Sequence, residues 1–146
     1  QKDTGFPDYS MLATDFSERV LKRTREGIYT QLEVQRGLPA KQMITYFDKG
    51  ENNTWITKTT LRSKMRFQRL NLLEDFGPIG QFNVIFCRNV LIYQNVENKK
   101  KVVAKMLSCL EPGAFFVMGA AESMLGVSDS FEQHQHEKAV FYRKKK

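Results

Sequence analysis

The strongest structural constraint in the sequence is the apolar run Phe82–Cys87, which is followed at once by the polar pair Arg88–Asn89. A short continuous run of this kind predicts a buried strand. Asn95 can cap a following helix, whose apolar residues recur at helical spacing (Val102, Val103, Met106, Leu107 and Leu110). After the helix stop Glu111–Gly113, Ala114–Met118 predicts the next strand. Strand, helix and strand in this order indicate a mainly parallel sheet with helices on its faces.

The first half of the chain has the same order of elements. Tyr9–Thr14 predicts a buried strand closed by Asp15. Ser17 can cap a helix that Gly27 ends, and the alternation of apolar and polar residues over Met65–Leu70 predicts a half-buried strand.

Two hairpins are predicted besides these strands. Leu38–Pro39 opens a short helix through Tyr46, and the turn residues Lys49–Asn53 then separate two short apolar segments, which predicts a small antiparallel hairpin. Phe131–His134 and Ala139–Arg143 predict a closing hairpin.

Composition narrows the class of protein. A chain of 146 residues with 41% hydrophobic and 27% charged residues is typical of one globular domain. No apolar run approaches the roughly 20 residues of a membrane span, so direct membrane insertion is not expected. Two cysteines give neither a disulfide framework nor metal-ligand spacing, and a cytoplasmic location is expected.

The net charge of +7 favours a polyanionic partner. Basic residues crowd the first helix (Arg19, Lys22, Arg23 and Arg25) and the stretch Lys58–Arg69. Nucleic acid and an acidic protein surface are both candidates, but no recognisable nucleic-acid motif is present, and no nucleic-acid partner is expected. His134 and His136 share one strand face without a third ligand cluster, so no metal site is predicted.

In open parallel sheets ligands lie beyond the carboxyl ends of the strands. Asp15, Asn71, Arg88–Asn89 and Gly119 all fall at such ends. A carboxylate in the position of Asp15 can accept hydrogen bonds from two vicinal ribose hydroxyls. It can equally do no more than cap the helix that follows, and the sequence leaves both interpretations open.

Several segments together resemble the chemotaxis receptor methyltransferases, the CheR family. They are Ala13–Ser17, Gly27–Tyr29, Asn71–Leu73, Phe82–Tyr93, Leu110–Ala114 and Glu122–Ser123, in this order along the chain. The stretch Cys-Arg-Asn-Val-Leu-Ile-Tyr from Cys87 to Tyr93 is the most specific of them. The resemblance covers almost all of the chain from Leu12 to Tyr142.

The resemblance implies an α/β fold with the class I, Rossmann-like methyltransferase sheet. Residues 1–146 would form a partial catalytic domain, with residues 44–65 as a small β insertion. It implies methyl transfer from S-adenosylmethionine to glutamate side chains of chemoreceptors, with S-adenosylhomocysteine as the product. Acidic, glutamate-bearing receptor helices would be the partners.

The resemblance also assigns roles to six residues. Asp15 would bind the cofactor ribose, and Asn71 with Leu72 would address the adenine. Arg88 and Asn89 would line the cofactor near its methyl group, Arg88 also serving in catalysis. Tyr93 would lie beside the incoming glutamate.

The chain departs from the family pattern at its start. Gly5 is the sole glycine ahead of Asp15, and no strand with a Gly-rich turn precedes that residue. We therefore expect a sheet without its first strand, an inactive isolated chain, and a homodimer in which an element is swapped between copies. The alternative is a degenerate, non-catalytic methyltransferase-like module that binds other proteins.

Overall fold

The computed structural model describes residues 8–137 and 139–145. The rest of the predicted 1–146 domain, including Gly5, Lys138 and Lys146, lies outside the described residues. The chain divides into two compact units, Gln1–Leu70 and Asn71–Lys146.

The first unit contains two small sheets and four helices among its described residues. In chain order they are β1 (Met11–Asp15), α1 (Glu18–Glu26), β2 (Ile28–Thr30), α2 (Gln31–Gly37), α3 (Ala40–Tyr46), β3 (Phe47–Lys49), β4 (Thr54–Thr57), α4 (Thr59–Arg62) and β5 (Met65–Arg69). β1 pairs with β5 in parallel, with Asp15 opposite Arg69. The other sheet is antiparallel, in the order β2-β4-β3.

Helix α1 begins and ends where the sequence predicts. The Ser17 hydroxyl accepts a hydrogen bond from the Val20 N–H, which satisfies one of the free donors of the first turn. Gly27 ends the helix in the left-handed conformation at φ 67°, where a side chain would be unfavourable.

Helix α2 and strand β2 were not predicted. Thr30 and Glu33 form a reciprocal capping box at the start of α2. The Thr-x-x-Glu spacing of this box is present in the sequence and would have indicated the helix. β2 joins the predicted hairpin of β3 and β4 as a third strand and comes from outside residues 44–65.

The second unit contains a four-stranded mixed sheet and one long helix. Its elements are β6 (Phe82–Cys87), a 3₁₀ turn (Leu91–Tyr93), α5 (Val96–Ser108), β7 (Leu110–Met118), β8 (Phe131–His136) and β9 (Ala139–Lys144). The strand order is β6-β7-β9-β8. β6 and β7 are parallel, and β9 runs antiparallel to both of its neighbours.

The core of this unit is apolar and well defined. Its fully buried side chains are Phe116, Leu91, Leu110, Val102 and Val103. Two of these come from the inward face of α5, as the helical spacing predicts. The core therefore joins the crossover helix to β7 and to the 3₁₀ turn after β6.

Two predictions about this unit were wrong. Strand β6 is present but is not buried: Phe86 is 71% exposed and Val84 41% exposed, and these two residues share one face of the sheet. Among the described residues, β7 is the one strand paired with β6. Strand β7 begins at Leu110, before the predicted helix stop, and its pairing with β6 shifts from Leu110 opposite Phe82 to Phe115 opposite Val84. Glu111–Gly113 thus forms an irregularity within the strand.

Strand β1 is likewise only partly buried, with Met11 exposed. The described residues contain no helix that is long and apolar enough to cross a membrane.

Phe116→Ala is expected to lower the free energy of unfolding by about 3–5 kcal/mol, because it leaves a cavity in a fully buried site. Phe115 provides the matched control on the same strand, since its ring is 38% exposed and packs edge-on against Phe141. Phe115→Ala should cost less than half as much. Urea denaturation followed by circular dichroism measures both, and equal losses would contradict this assignment of the core.

Candidate functional site

The predicted site residues fall into three groups. Asp15 belongs to the first unit, at the end of β1. Asn71 and Leu72 form a turn at the start of the second unit. Arg88, Asn89 and Tyr93 share one loop after β6 in that same unit.

Asp15 is the last residue of β1, and its side chain is half-buried at the start of the loop between β1 and α1. Its Oδ1 atom accepts a hydrogen bond of 2.8 Å from the Ser17 N–H, while its backbone carbonyl accepts one of 3.0 Å from Leu70. The carboxylate therefore does take part in shaping the start of α1. Because a carboxylate has two oxygens and about four acceptor positions, this local bond leaves acceptor capacity for a ligand.

The side chain of Asn71 folds back on its own turn. Its Oδ1 accepts from the Leu73 N–H at 3.0 Å, and its Nδ2 donates to Glu74 Oε1 at 2.9 Å. Lys105 on α5 also stabilises the turn, because its ammonium group donates to the carbonyls of Leu72 at 2.5 Å and Glu74 at 2.6 Å. Lys105 was not identified from the sequence, because nothing in the residues around a helical lysine indicates that its side chain donates to carbonyl groups in a distant part of the chain.

The loop from Arg88 to Tyr93 presents its polar side chains to solvent. Leu91 is fully buried and anchors the loop, whereas Arg88 and Asn89 are exposed and Tyr93 is 80% exposed. Asn89 adopts the left-handed conformation at φ 58°, which is uncommon for residues other than glycine. An anchored loop with exposed ends can hold these side chains toward a ligand.

Glu122 holds this loop, a role that sequence reasoning did not assign. Its Oε2 accepts from the N–H groups of Asn89 at 2.7 Å and Gly119 at 2.8 Å. Its Oε1 accepts from Val90 and Ile92, both at 3.1 Å. The signal in the sequence is the resemblance of Glu122–Ser123 to the family, which gives this residue no role.

The ionisation of Glu122 follows from these contacts. Partial burial alone would raise the pKa of its carboxyl group. The backbone N–H groups of Gly119, Asn89 and Ile92 stabilise the carboxylate, and the net result is a pKa below the usual value.

The thiol of Cys87, at the end of β6, is buried and free. Burial, and then the nearby Glu122 carboxylate, raise its pKa to about 11. Cys87 is therefore a neutral thiol at physiological pH and is not a nucleophile there.

A cleft of about 430 Å³ lies beside the loop. Ile92 and Val96 line one part of it, and Met118, Glu122 and Leu125 line another. The cleft thus lies beyond the carboxyl ends of the parallel pair β6 and β7, where α/β sheets bind ligands.

A basic cleft of about 490 Å³ lies in the first unit, against α1 and β2. Arg19, Lys22 and Arg23 line it. Arg23 also donates to both Glu33 carboxylate oxygens at 2.7 Å, so part of its charge is balanced within the unit. The predicted basic surface is therefore weaker than a count of cations along the sequence suggests.

The two histidines of β8 are His134 and His136. His134 stacks on Phe141 with ring centroids 5.6 Å apart. Within residues 8–137 and 139–145, no group of three or more His, Cys, Asp or Glu side chains has metal-binding geometry.

Comparison with known protein families shows to which family the chain belongs. The family described as "CheR methyltransferase, SAM binding domain" matches residues 1–140, nearly the whole chain. The chain belongs to the CheR methyltransferase family. The resemblance of the strand-end segments is thereby confirmed, and S-adenosylmethionine is the cofactor of the family's matched domain.

Curated CheR relatives come from several bacteria. The chemotaxis protein methyltransferase of Vibrio parahaemolyticus is 36% identical over 139 residues, which are 95% of this chain and 50% of that protein. The chemotaxis protein methyltransferase Cher2 of Pseudomonas putida is 34% identical over 135 residues, 92% of this chain and 49% of that protein. The chain thus spans about half the length of the curated relatives it matches.

Solved structures confirm the fold class. The N-methyltransferase NodS of Bradyrhizobium japonicum aligns with a TM-score of 0.55 and 12% identity, over 94% of this chain and 74% of that one. NodS has also been solved with S-adenosylhomocysteine. TrmN of Thermus thermophilus aligns with a TM-score of 0.57 and 14% identity, over 97% of this chain and 38% of that one. This CheR chain therefore has the predicted α/β, Rossmann-like methyltransferase fold.

Lys105→Met is expected to lower the free energy of unfolding by about 1–2 kcal/mol, because the Leu72 and Glu74 carbonyls lose a charged donor. Lys101→Met, one turn earlier on α5 and exposed, is the matched control and should change stability by less than about 0.5 kcal/mol. Thermal unfolding of both variants measures this. Equal effects would show that Lys105 does not fix the turn.

Proposed function

We propose that this chain is part of the catalytic domain of a protein-glutamate O-methyltransferase that modifies chemoreceptors with S-adenosylmethionine. The observation that carries the proposal is the exposed, anchored loop Arg88–Tyr93 at the carboxyl end of parallel strand β6, in a chain of the CheR family. The names of the curated relatives support the class of substrate.

The residues at the strand ends fit the chemistry of the cofactor. The Asp15 carboxylate keeps acceptor capacity for ribose hydroxyls beside its bond to Ser17. The Asn71 side chain is used within its turn. No described residue accepts a hydrogen bond from the Leu72 N–H, so this donor can meet a ring nitrogen of adenine. Bound S-adenosylmethionine supplies an electrophilic methyl group on a positive sulfonium.

A glutamate substrate makes modest demands on the protein. Its carboxyl group has a pKa of about 4.3 and is already ionised at neutral pH, so no general base is required. The loop residues have to orient the carboxylate and keep water from it. The exposed guanidinium of Arg88 can align the anion, and the Tyr93 ring can cover it. We place Arg88 and Tyr93 in these roles, with Asn89 lining the cofactor.

Charge supports acidic receptor helices as the partner. The chain carries a net charge of +7, and Arg19 and Lys22 line the basic cleft of the first unit. Complementary charge raises the rate of encounter, and salt screens it. Chemoreceptor cytoplasmic domains would meet the protein in the cytoplasm.

The function is tested with the full-length protein, S-adenosylmethionine labelled in its methyl group, and receptor cytoplasmic domains. We expect base-labile label on receptor glutamates, transferred more slowly as salt is added. Receptor binding without transfer of label would instead indicate the non-catalytic interaction module.

Asp15→Ala in the full-length protein is expected to weaken binding of S-adenosylhomocysteine by about 1–3 kcal/mol, the range for losing charged hydrogen bonds. Asp15→Asn separates the two roles of this residue, because its amide oxygen can still accept from the Ser17 N–H. We expect weaker binding in this variant too, with unchanged stability. Asp129→Ala, at an exposed acidic residue, is the control. Titration calorimetry showing unaltered affinity for Asp15→Asn would leave Asp15 with its capping role alone.

A further inference from the structure

The Arg88–Tyr93 loop has a backbone that needs an external acceptor. Asn89 lies in the left-handed region at φ 58°, a conformation that asparagine adopts more readily than other non-glycine residues. Asn89 and Val90 lie outside the strands and helices, and Ile92 lies in the first turn of the 3₁₀ segment Leu91–Tyr93. Regular secondary structure therefore gives none of these three N–H groups an acceptor. Something else has to hold them.

A single carboxylate accepts hydrogen bonds from all of these N–H groups. Glu122 accepts from these three N–H groups and from the N–H of Gly119 at 2.7–3.1 Å. Each of its oxygens takes two donors, so the four acceptor positions of the carboxylate are filled. The loop after β6 and the turn after β7 are thereby joined at one charged group.

Gly119 is the second part of the same arrangement. A Cβ atom at this position would lie 2.8 Å from Glu122 Oε2 and 2.9 Å from the Asn89 backbone nitrogen, and closer still to Asn89 Oδ1. Such distances are not tolerated, so any other residue here would push the carboxylate and the loop apart. A glycine at the end of β7 is therefore required for Glu122 to reach the loop.

We infer that Glu122 is a positioning residue, which holds the Arg88–Tyr93 loop in the conformation that presents Arg88 and Asn89 to the methyl-transfer site. The catalytic roles of Arg88 and Asn89 in this inference rest on the proposed function. The contacts between Glu122 and the loop do not depend on it. In this role Glu122 acts through the backbone of the loop.

The experiment compares Glu122→Gln with Glu111→Gln in the full-length protein. Glutamine has the shape of glutamate, but its NH₂ group faces two of the four N–H donors and cannot accept from them. Glu111 is an exposed residue on β7 and serves as the matched control. Three measurements are made below the unfolding temperature of every variant: amide exchange at residues 89–92 and 119, calorimetry for the Kd of S-adenosylhomocysteine, and steady-state kinetics for kcat and KM of the receptor.

In Glu122→Gln we expect amide exchange at these residues to be faster by about tenfold or more, the change expected from losing at least one charged hydrogen bond. We expect kcat to fall and the Kd of S-adenosylhomocysteine to rise by a similar factor, with KM for the receptor changed less than about twofold. A purely structural role would not lower kcat while leaving KM for the receptor nearly unchanged. Glu111→Gln should match the wild-type protein in all three measurements.

Two outcomes would overturn the inference. One is unaltered exchange at residues 89–92 in Glu122→Gln, and the other is faster exchange with unaltered kcat and Kd. A wild-type protein that transfers no methyl group to receptors would refute the proposed function instead. Amide exchange and cofactor affinity would then still decide whether Glu122 positions the loop.

Discussion

The parallel pairing of β6 with β7 fixes where the candidate residues of the second unit lie. Two parallel strands of one sheet end at the same edge, so the loop after Cys87 and the turn after Met118 emerge side by side. The connection between them is α5, whose buried face carries Val102 and Val103. Parallel strands need a long crossover connection, which is usually a helix, and the buried residues of α5 pack it into the core of this unit.

Loops that leave such an edge share one physical problem, which is unpaired backbone N–H groups. The protein meets it three times with a polar side chain: Asp15 accepts from Ser17, Asn71 accepts from Leu73, and Glu122 accepts from four donors. The first two bonds span two residues and are formed within one turn. Three of the four Glu122 contacts span about thirty residues and can exist only once β6 and β7 have paired.

This difference in range explains what could be predicted from the sequence. The Ser17 and Asn95 caps, the strand over Phe82–Cys87 and both hairpins depend on neighbours in the chain, and the structure confirms them. The Thr30–Glu33 capping box was equally local and was overlooked. The roles of Glu122 and Lys105 depend on contacts across the fold, which no local pattern encodes. The functional roles of Asp15, Asn71, Leu72, Arg88, Asn89 and Tyr93 stay predictions.

Burial was the property that sequence patterns predicted least well, and strand β6 shows why. Its composition is that of a strand covered on both faces, yet Phe86 is largely exposed and β7 is its one partner among the described residues. In the part of the chain that the structure describes, β1 likewise has β5 as its one partner. An apolar edge strand with unpaired backbone groups invites pairing with another strand. Both a further segment of a longer chain and an element swapped from a second copy would satisfy β6. Either of these two partners would explain the apolar composition of β6. The swapped homodimer stays a prediction. The strand residues that were expected to be buried therefore indicate a more extensive environment than the described residues provide.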